Sequence, residues 1–147
     1  MCDHCGCREY APIAELTAEH ETILSLAWRI AEASRTGAVQ DVSVIDALLR
    51  RLDLHVAKEE EGLYPLLRDA GDLADDTCTV LEADHVTLRA ALSGGAFGRR
   101  DYYALAAHIE EEEMELFPAA RFGFEDETWD ELDAIHRRVQ SAVTAPS

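Results

Sequence analysis

Two segments of the sequence repeat each other without a gap, and this repeat restricts the possible folds more than any other feature. The first segment is HVAKEEEGLYP at residues 55–65, and the second is HIEEEEMELFP at residues 108–118. Both follow the pattern H-x3-E-E-x2-L-aromatic-P. A shorter pair precedes them, AEHETI at residues 18–23 and ADHVTL at residues 83–88. The chain therefore has two related halves, each carrying one histidine and then a His-x3-Glu pair.

The apolar residues recur every three or four positions, and no stretch alternates as a half-buried strand would. This pattern predicts an all-α protein. Turn and helix-end residues predict helices from Pro12 to Gly37, from Asp41 or Ser43 to Gly71, from about Asp72 to Gly94-Gly95, and from about Asp101 until Pro118 and Gly123 loosen the chain. A fifth helix is predicted from about Asp126 to Val143, and Pro65 is expected to kink the second helix. Short connections between the first four predict an antiparallel up-and-down four-helix bundle with an additional C-terminal helix.

The size and charge of the chain limit its class and its partners. Its 147 residues suit one domain, predicted at residues 12–147 after a Cys-rich tail at residues 1–11. The formal net charge of −17 disfavours binding to nucleic acids and to anionic membranes. No apolar run is long enough to cross a bilayer, and the first residues lack the pattern of a secretory signal, so the expected location is the cytoplasm.

The spacing within the repeat places the histidines and two of the glutamates together. Residues four apart lie on one face of a helix, one turn from each other, so each His-x3-Glu pair can bind one object. Counting residues from each turn, at about 1.5 Å of rise per residue, puts the polar side chains of the four helices at one height. The six residues predicted to meet there are His20, His55, Glu59, His85, His108 and Glu112.

These six residues occupy positions of the apolar helix faces, where core side chains are expected. Two carboxylates and four imidazoles inside a bundle carry a desolvation cost and a like-charge repulsion that a cation would relieve. Six nitrogen and oxygen ligands, with two carboxylates placed to bridge, suit two iron ions. The same ligand types would also admit manganese or zinc.

The order His, His-x3-Glu, His, His-x3-Glu over residues 12–120 resembles the hemerythrin-like, or HHE cation-binding, domain family and its stand-alone, bacterial-type members. The resemblance implies one iron on His20 and His55, a second iron on His85 and His108, and bridging by both glutamates. Oxygen-carrying members place a further histidine four residues after the third-helix histidine, where this chain has Arg89. The departure implies more open coordination positions and favours redox chemistry over reversible oxygen carriage.

Several neighbouring residues are candidates for roles around the metal. Glu60 and Glu113 directly follow the bridging glutamates, and we expect them to be solvated or to support the ligands. Arg89 is expected either to neutralise one of these acids or line an open metal position, or to form a surface ion pair. Tyr64 is interpreted first as packing beneath the end of the bundle and second as a supporting residue. His136, outside the repeat, is interpreted as a surface or helix-packing residue.

The N-terminal segment carries four further reactive side chains, Cys2, His4, Cys5 and Cys7. Their spacing leaves three interpretations open: an unstructured tail, a site for a soft metal, and a thiol redox role.

Two main functions fit the predicted centre. In the first, a carboxylate-bridged iron pair reacts with hydrogen peroxide, dioxygen or nitric oxide, as a peroxidase, a catalase or a nitric oxide peroxidase would. In the second, the chain is an oxygen- or iron-binding sensor or carrier without turnover, and a sensor would need a protein partner. Iron storage is a third possibility that no feature of the sequence favours.

Overall fold

The computed structural model describes the backbone of residues 10–144 and the side chains of residues 10–142. The described part of the chain is helical and contains no strand. It forms a four-helix bundle with an additional C-terminal helix, so the predicted fold class is confirmed. The candidate ligands Cys2, His4, Cys5 and Cys7 of the predicted tail lie outside the described residues. No described helix combines the length and the apolar character needed to cross a membrane.

Four antiparallel rods form the bundle, and a fifth helix packs on one side of it. The helices are α1 (Ala11–Thr36), α2 (Val42–Lys58), α3 (Tyr64–Asp69), α4 (Asp75–Ser93), α5 (Arg99–Glu111), α6 (Phe117–Gly123) and α7 (Asp126–Thr144). The four rods are α1, α2 continued by α3, α4, and α5 continued by α6, and α7 is the fifth helix. Helix α1 lies beside α2 and α5, and α4 lies beside the same two helices, which closes the bundle. Helix α7 packs against α1 and α2, on one flank of the bundle.

The helix ends follow the local chemistry of the sequence. Helix α1 ends at Thr36 because Gly37 adopts a left-handed conformation, with φ of 71°, that glycine tolerates best. Before α2, the side chain of Asp41 accepts a hydrogen bond from the backbone N–H of Ser43. Before α5, the carboxylate of Asp101 accepts one from the backbone N–H of Gly98. These contacts fix the connections between the antiparallel rods.

Both repeated segments contain a turn of π-helix, which the sequence analysis missed. One turn spans Glu59–Leu63 and joins α2 to α3, and the other spans Glu112–Leu116 and joins α5 to α6. Each begins at a glutamate of the repeat and is followed within two residues by its proline. A proline removes one backbone hydrogen bond and clashes with the carbonyl four residues earlier, and the wider turn accommodates it. The chain therefore continues as a helix through Pro65 and Pro118, where a kink and a loosened segment were expected.

The fifth helix explains one difference between the two repeats. Gly62 lies in the first π turn, and a Cβ atom there would come within 2.8 Å of Leu132 Cδ1 in α7. At the equivalent position of the second repeat, Glu115 is exposed. The first repeat therefore needs a residue without a side chain because α7 packs directly on it.

The apolar core forms two clusters with a polar layer between them. One cluster lies towards α3, α6 and α7 and includes Ile13, Leu67, Leu81 and Leu132. The other lies towards the opposite end of the bundle and includes Leu48, Leu88, Leu92 and Leu105. The candidate metal ligands occupy the layer between the clusters, and this packing excludes bulk water from them on both sides.

Candidate metal centre

The structure brings all six predicted side chains into one buried centre. The histidines are 1 to 6 % exposed, and both glutamates are fully buried. They form two groups of four whose ligand atoms lie within 4.8 Å of one another, and both groups contain the same two glutamates. The first group is His20, His55, Glu59 and Glu112, and the second is His85, His108, Glu59 and Glu112.

In each group, histidine Nε2 atoms face carboxylate oxygens. In the first group, His20 Nε2 lies 3.1 Å from Glu112 Oε1, and His55 Nε2 lies 3.2 Å from Glu59 Oε2. In the second, His85 Nε2 lies 3.1 Å from Glu59 Oε1. Glu112 Oε1 also lies 3.7 Å from His108 Nε2. Each glutamate therefore reaches histidines of two helices, which is the arrangement that a bridging carboxylate requires.

The opposite edge of each of the four histidine rings in the centre contacts an acid from the neighbouring helix. The four contacts are His20 Nδ1 to Glu113 at 2.8 Å, His55 Nδ1 to Glu19 at 2.7 Å, His85 Nδ1 to Glu60 at 2.7 Å, and His108 Nδ1 to Asp84 at 3.0 Å. We call Glu19, Glu60, Asp84 and Glu113 the outer carboxylates. An acceptor at Nδ1 holds the proton there and leaves the Nε2 lone pair for a cation.

The outer carboxylates form a closed ring around the bundle. Each rod supplies an acid to the histidine of the next one, in the order α1 to α2, α2 to α4, α4 to α5 and α5 back to α1. Two of these acids follow the glutamate of a repeat, and the other two, Glu19 and Asp84, precede a histidine. The sequence analysis did not single out Glu19 or Asp84, although the repeated Ala-acid-His order at residues 18–20 and 83–85 was a signal for them.

Tyr64 contributes a hydroxyl group to the centre, which corrects the interpretation preferred from the sequence. Its oxygen donates a hydrogen bond to Glu112 Oε2 at 2.6 Å and lies 3.4 Å from Glu59 Oε1. Its ring stacks on His85, with centroids 5.9 Å apart. In the second repeat, Phe117 stacks in the same way on His20 but has no hydroxyl group. The two halves of the centre are therefore similar in packing and different in hydrogen bonding.

Two other sequence candidates lie away from the centre. The guanidinium of Arg89 donates to both oxygens of Asp53, at 2.7 and 3.0 Å, and the two side chains are each about half exposed. Of the expectations for Arg89, the structure shows the surface ion pair. It does not place Arg89 beside the candidate metal ligands, because the side chain extends across the surface from α4 to α2. His136 packs between helices, and its Nδ1 lies 3.6 Å from Glu15 Oε1.

A buried lysine beside His55 was also missed by the sequence analysis. Lys58 is 1 % exposed, and its ammonium group donates to Glu15 and to Glu19. Burial lowers the pKa of this lysine, but the two carboxylates more than offset that effect and raise it above its ordinary value. Lysine is rarely buried without such partners, and only the tertiary structure identifies them.

The charges of the centre shift the pKa values of its histidines. Burial lowers the pKa of His55, but the charge of Glu59 and the hydrogen bond to Glu19 more than offset it and raise it to about 9. His85 shows the same balance, since burial lowers its pKa and the hydrogen bond and charge of Glu59 raise it to about 9. Protons on the rings compensate the buried carboxylates when no cation does, and a cation that binds must displace them.

The arrangement of polar atoms fits a cation better than hydrogen bonding alone. Buried polar atoms almost always have a hydrogen-bond partner. Four atoms of the centre make no well-aligned hydrogen bond among the described residues, although they face each other in pairs at 3.1 and 3.2 Å: His20 Nε2 with Glu112 Oε1, and His55 Nε2 with Glu59 Oε2. The Nε2 atoms of His85 and His108 also lie only 3.1 Å apart. If both Nδ1 atoms carry protons, two lone pairs face each other there, and either a cation or an extra proton must separate them.

The comparisons with known proteins point to the same type of site. Neither the search of curated proteins nor the search of solved structures gives a match. A family model, the hemerythrin HHE cation-binding domain, matches residues 10–96, which is more than half of the chain. The match includes His20, His55, Glu59 and His85, and the fold adds His108 and Glu112 from α5 and the π turn that follows it. The chain therefore belongs to the hemerythrin HHE cation-binding domain family.

Proposed function

We propose that the chain is a non-haem di-iron protein that reacts with hydrogen peroxide, dioxygen or nitric oxide. His20 and His55 would hold one iron, His85 and His108 would hold the other, and the two buried glutamates would bridge them. The observation that carries the proposal is the pair of four-residue groups that share both glutamates. Nitrogen and carboxylate ligands of this kind suit iron, and the hemerythrin family is one of cation-binding domains.

The bridged iron pair would supply electron transfer to a small oxygen- or nitrogen-containing ligand. The protein side chains would hold the metal ligands in position for this reaction. The outer carboxylates keep the Nδ1 protons in place and make the rings stronger donors at Nε2. The hydroxyl group of Tyr64 donates to Glu112 and so fixes the orientation of one bridging carboxylate.

The size of the cavity at the centre limits the ligand. A cavity of about 10 Å³ lies against the six ligands and is closed by apolar side chains, including Ile23, Leu88 and Ile109. This volume holds about one water-sized ligand. The two irons would themselves fill much of this space, so the apolar side chains around it leave no room for an organic substrate and favour a small ligand. The small volume supports small molecules as the ligands of the centre. We propose separately that the reaction takes place in the cytoplasm.

Iron loading followed by separate additions of dioxygen, hydrogen peroxide and nitric oxide tests the proposal. We expect two irons per chain, a ferric absorption band, and consumption of at least one of the three compounds. His85→Ala should abolish the consumption, whereas Glu111→Gln, at an exposed position beside the centre, should leave it unchanged. One metal per chain, or zinc that iron cannot displace, would contradict the di-iron assignment.

A sensor or carrier without turnover is the alternative function. The ligands come from four different rods, so cation binding would tighten the whole bundle, as a sensor requires. This alternative replaces the first if the iron-loaded protein changes its spectrum with a ligand and consumes none. A sensor would also require a protein partner to receive its signal.

A further inference from the structure

The chain contains a single lysine, and it lies buried beside the metal centre. The other twelve of its thirteen lysine and arginine residues are arginines. Lys58 is 1 % exposed, and its ammonium lies 2.5 Å from Glu19 Oε2 and also contacts Glu15. A compact ammonium fits between two carboxylates where a planar guanidinium would need more space. The only lysine of the chain therefore places a positive charge next to an outer carboxylate.

This ammonium makes Glu19 different from the other outer carboxylates. Glu19 accepts from His55 through Oε1, at 2.7 Å, and from Lys58 through Oε2. Among the described residues, neither lysine nor arginine pairs with the remaining three, Glu60, Asp84 and Glu113. A carboxylate shared with a cation attracts the Nδ1 proton less strongly, so Glu19 supports His55 less than an acid without a lysine partner would.

Comparison of the two repeats shows that this difference between the two halves of the centre is encoded in the sequence. The residue before the first bridging glutamate is Lys58, and the equivalent residue before the second is Glu111, which is exposed. His136, the other basic group that faces this cluster, does not compensate for the difference. Burial lowers the pKa of His136, which disfavours a positive charge on its ring.

We propose that Lys58 makes the two metal positions unequal, so that the position of His85 and His108 binds its cation first and the position of His20 and His55 binds second and more weakly. The ammonium acts by sharing Glu19 and so weakening the acceptor of His55, while the second carboxylate, Glu15, balances its charge. The inference rests on the proposed function, because it assumes two cation positions that share the buried glutamates.

A titration of the metal-free protein with cobalt(II), against a competing chelator, tests the inference without any activity measurement. The wild-type protein should bind two cobalt ions with affinities about tenfold apart, as changes in an outer partner typically produce. His55→Ala should keep the tighter binding step, and His108→Ala should keep only the weaker step. These two variants assign each step to its position.

Variants of the lysine then test its role. Lys58→Met should bring the two affinities within about threefold by strengthening the weaker step, and Lys58→Gln, which keeps a hydrogen-bond donor without the charge, should do the same. Circular dichroism and the melting temperature show whether both variants are folded. Arg51→Met removes the same charge from an exposed position of α2 and should leave the two steps unchanged.

Each result supports or overturns a specific statement. Two equal affinities in the wild-type protein would overturn the inference and leave the di-iron proposal standing. A weaker second step in Lys58→Met and Lys58→Gln would also overturn it, because the lysine would then support His55 and not oppose its cation. Binding of no more than one cobalt ion would overturn the proposed function, and the inference with it.

Discussion

The Nδ1 atom of His20 lies 2.8 Å from a carboxylate oxygen of Glu113, 93 residues later in the chain. The contact joins the first and the last rods of the bundle and completes the ring of outer carboxylates. It also aims His20 Nε2 at Glu112, the residue before Glu113, at 3.1 Å. Two consecutive glutamates of the second repeat therefore contact the two ring nitrogens of one histidine.

Removing this outer carboxylate should weaken cation binding without removing a ligand. In Glu113→Ala, His20 loses the acceptor that fixes its ring, and we expect the affinity for the cation to fall about 10- to 100-fold. Chelator competition measures the change. Glu115→Ala, at an exposed position of the same π turn, is the control. An equal affinity in both variants would show that the ring of carboxylates does not support the metal.

Removing a bridging glutamate should affect both metal positions. Glu112 belongs to both four-residue groups, so Glu112→Ala should lose both cations, whereas Glu111→Ala should keep them. Elemental analysis of the two iron-loaded variants gives the answer. Retention of one or two metals by Glu112→Ala would contradict the bridging assignment.

The hydroxyl group of Tyr64 should contribute to stability even in the metal-free protein. Tyr64→Phe keeps the stacked ring and removes the donor to Glu112, which leaves a buried carboxylate with one hydrogen bond fewer. We expect the free energy of unfolding to decrease by about 1–3 kcal/mol, measured by urea denaturation. Tyr103→Phe, at an exposed tyrosine, should leave it unchanged. A similar value in both variants would mean that the hydroxyl group adds nothing to stability.

The metal-free protein should lose stability as the pH rises. The pKa values of His55 and His85 are raised in the folded state to about 9, against about 6.5 in the unfolded chain. A raised histidine pKa adds stability that is fully present below pH 6.5 and is lost as the pH rises through 9. The melting temperature of the metal-free protein should therefore fall by about 5 °C or more between pH 6.5 and 9.5. A constant or rising melting temperature would show that these protons do not stabilise the fold.

The packing of α7 on the first repeat depends on Gly62. In Gly62→Ala the new Cβ would lie 2.8 Å from Leu132 Cδ1, so α7 must shift. We expect the free energy of unfolding to decrease by about 1–3 kcal/mol. The equivalent change in the second repeat, Glu115→Ala, should have little effect because that position faces solvent. Thermal unfolding of both variants compares the positions, and equal melting temperatures would contradict the role given to Gly62.

The sequence alone predicted the helices and the convergence of the six central side chains. Helical geometry is local and periodic, so the distance from each histidine to the nearest turn predicted that His20 and His108 lie at the same height. The repeated His-x3-Glu spacing predicted two related pairs in the same way. The helix ends at Gly37 and Asp41 followed from local backbone chemistry, which depends on few neighbouring residues.

The tertiary structure decided which side chains surround the centre. The sequence does not show that Glu19 reaches His55 or that Lys58 lies between two acids of α1, because these contacts depend on how neighbouring helices are rotated. The π turn before Pro65 contributes to that rotation by adding one residue to a helical turn, a change that the apolar pattern does not reveal. The hydroxyl group of Tyr64 therefore lies within the centre, and the single buried lysine lies at one side of it, because of packing between helices that are distant in the sequence.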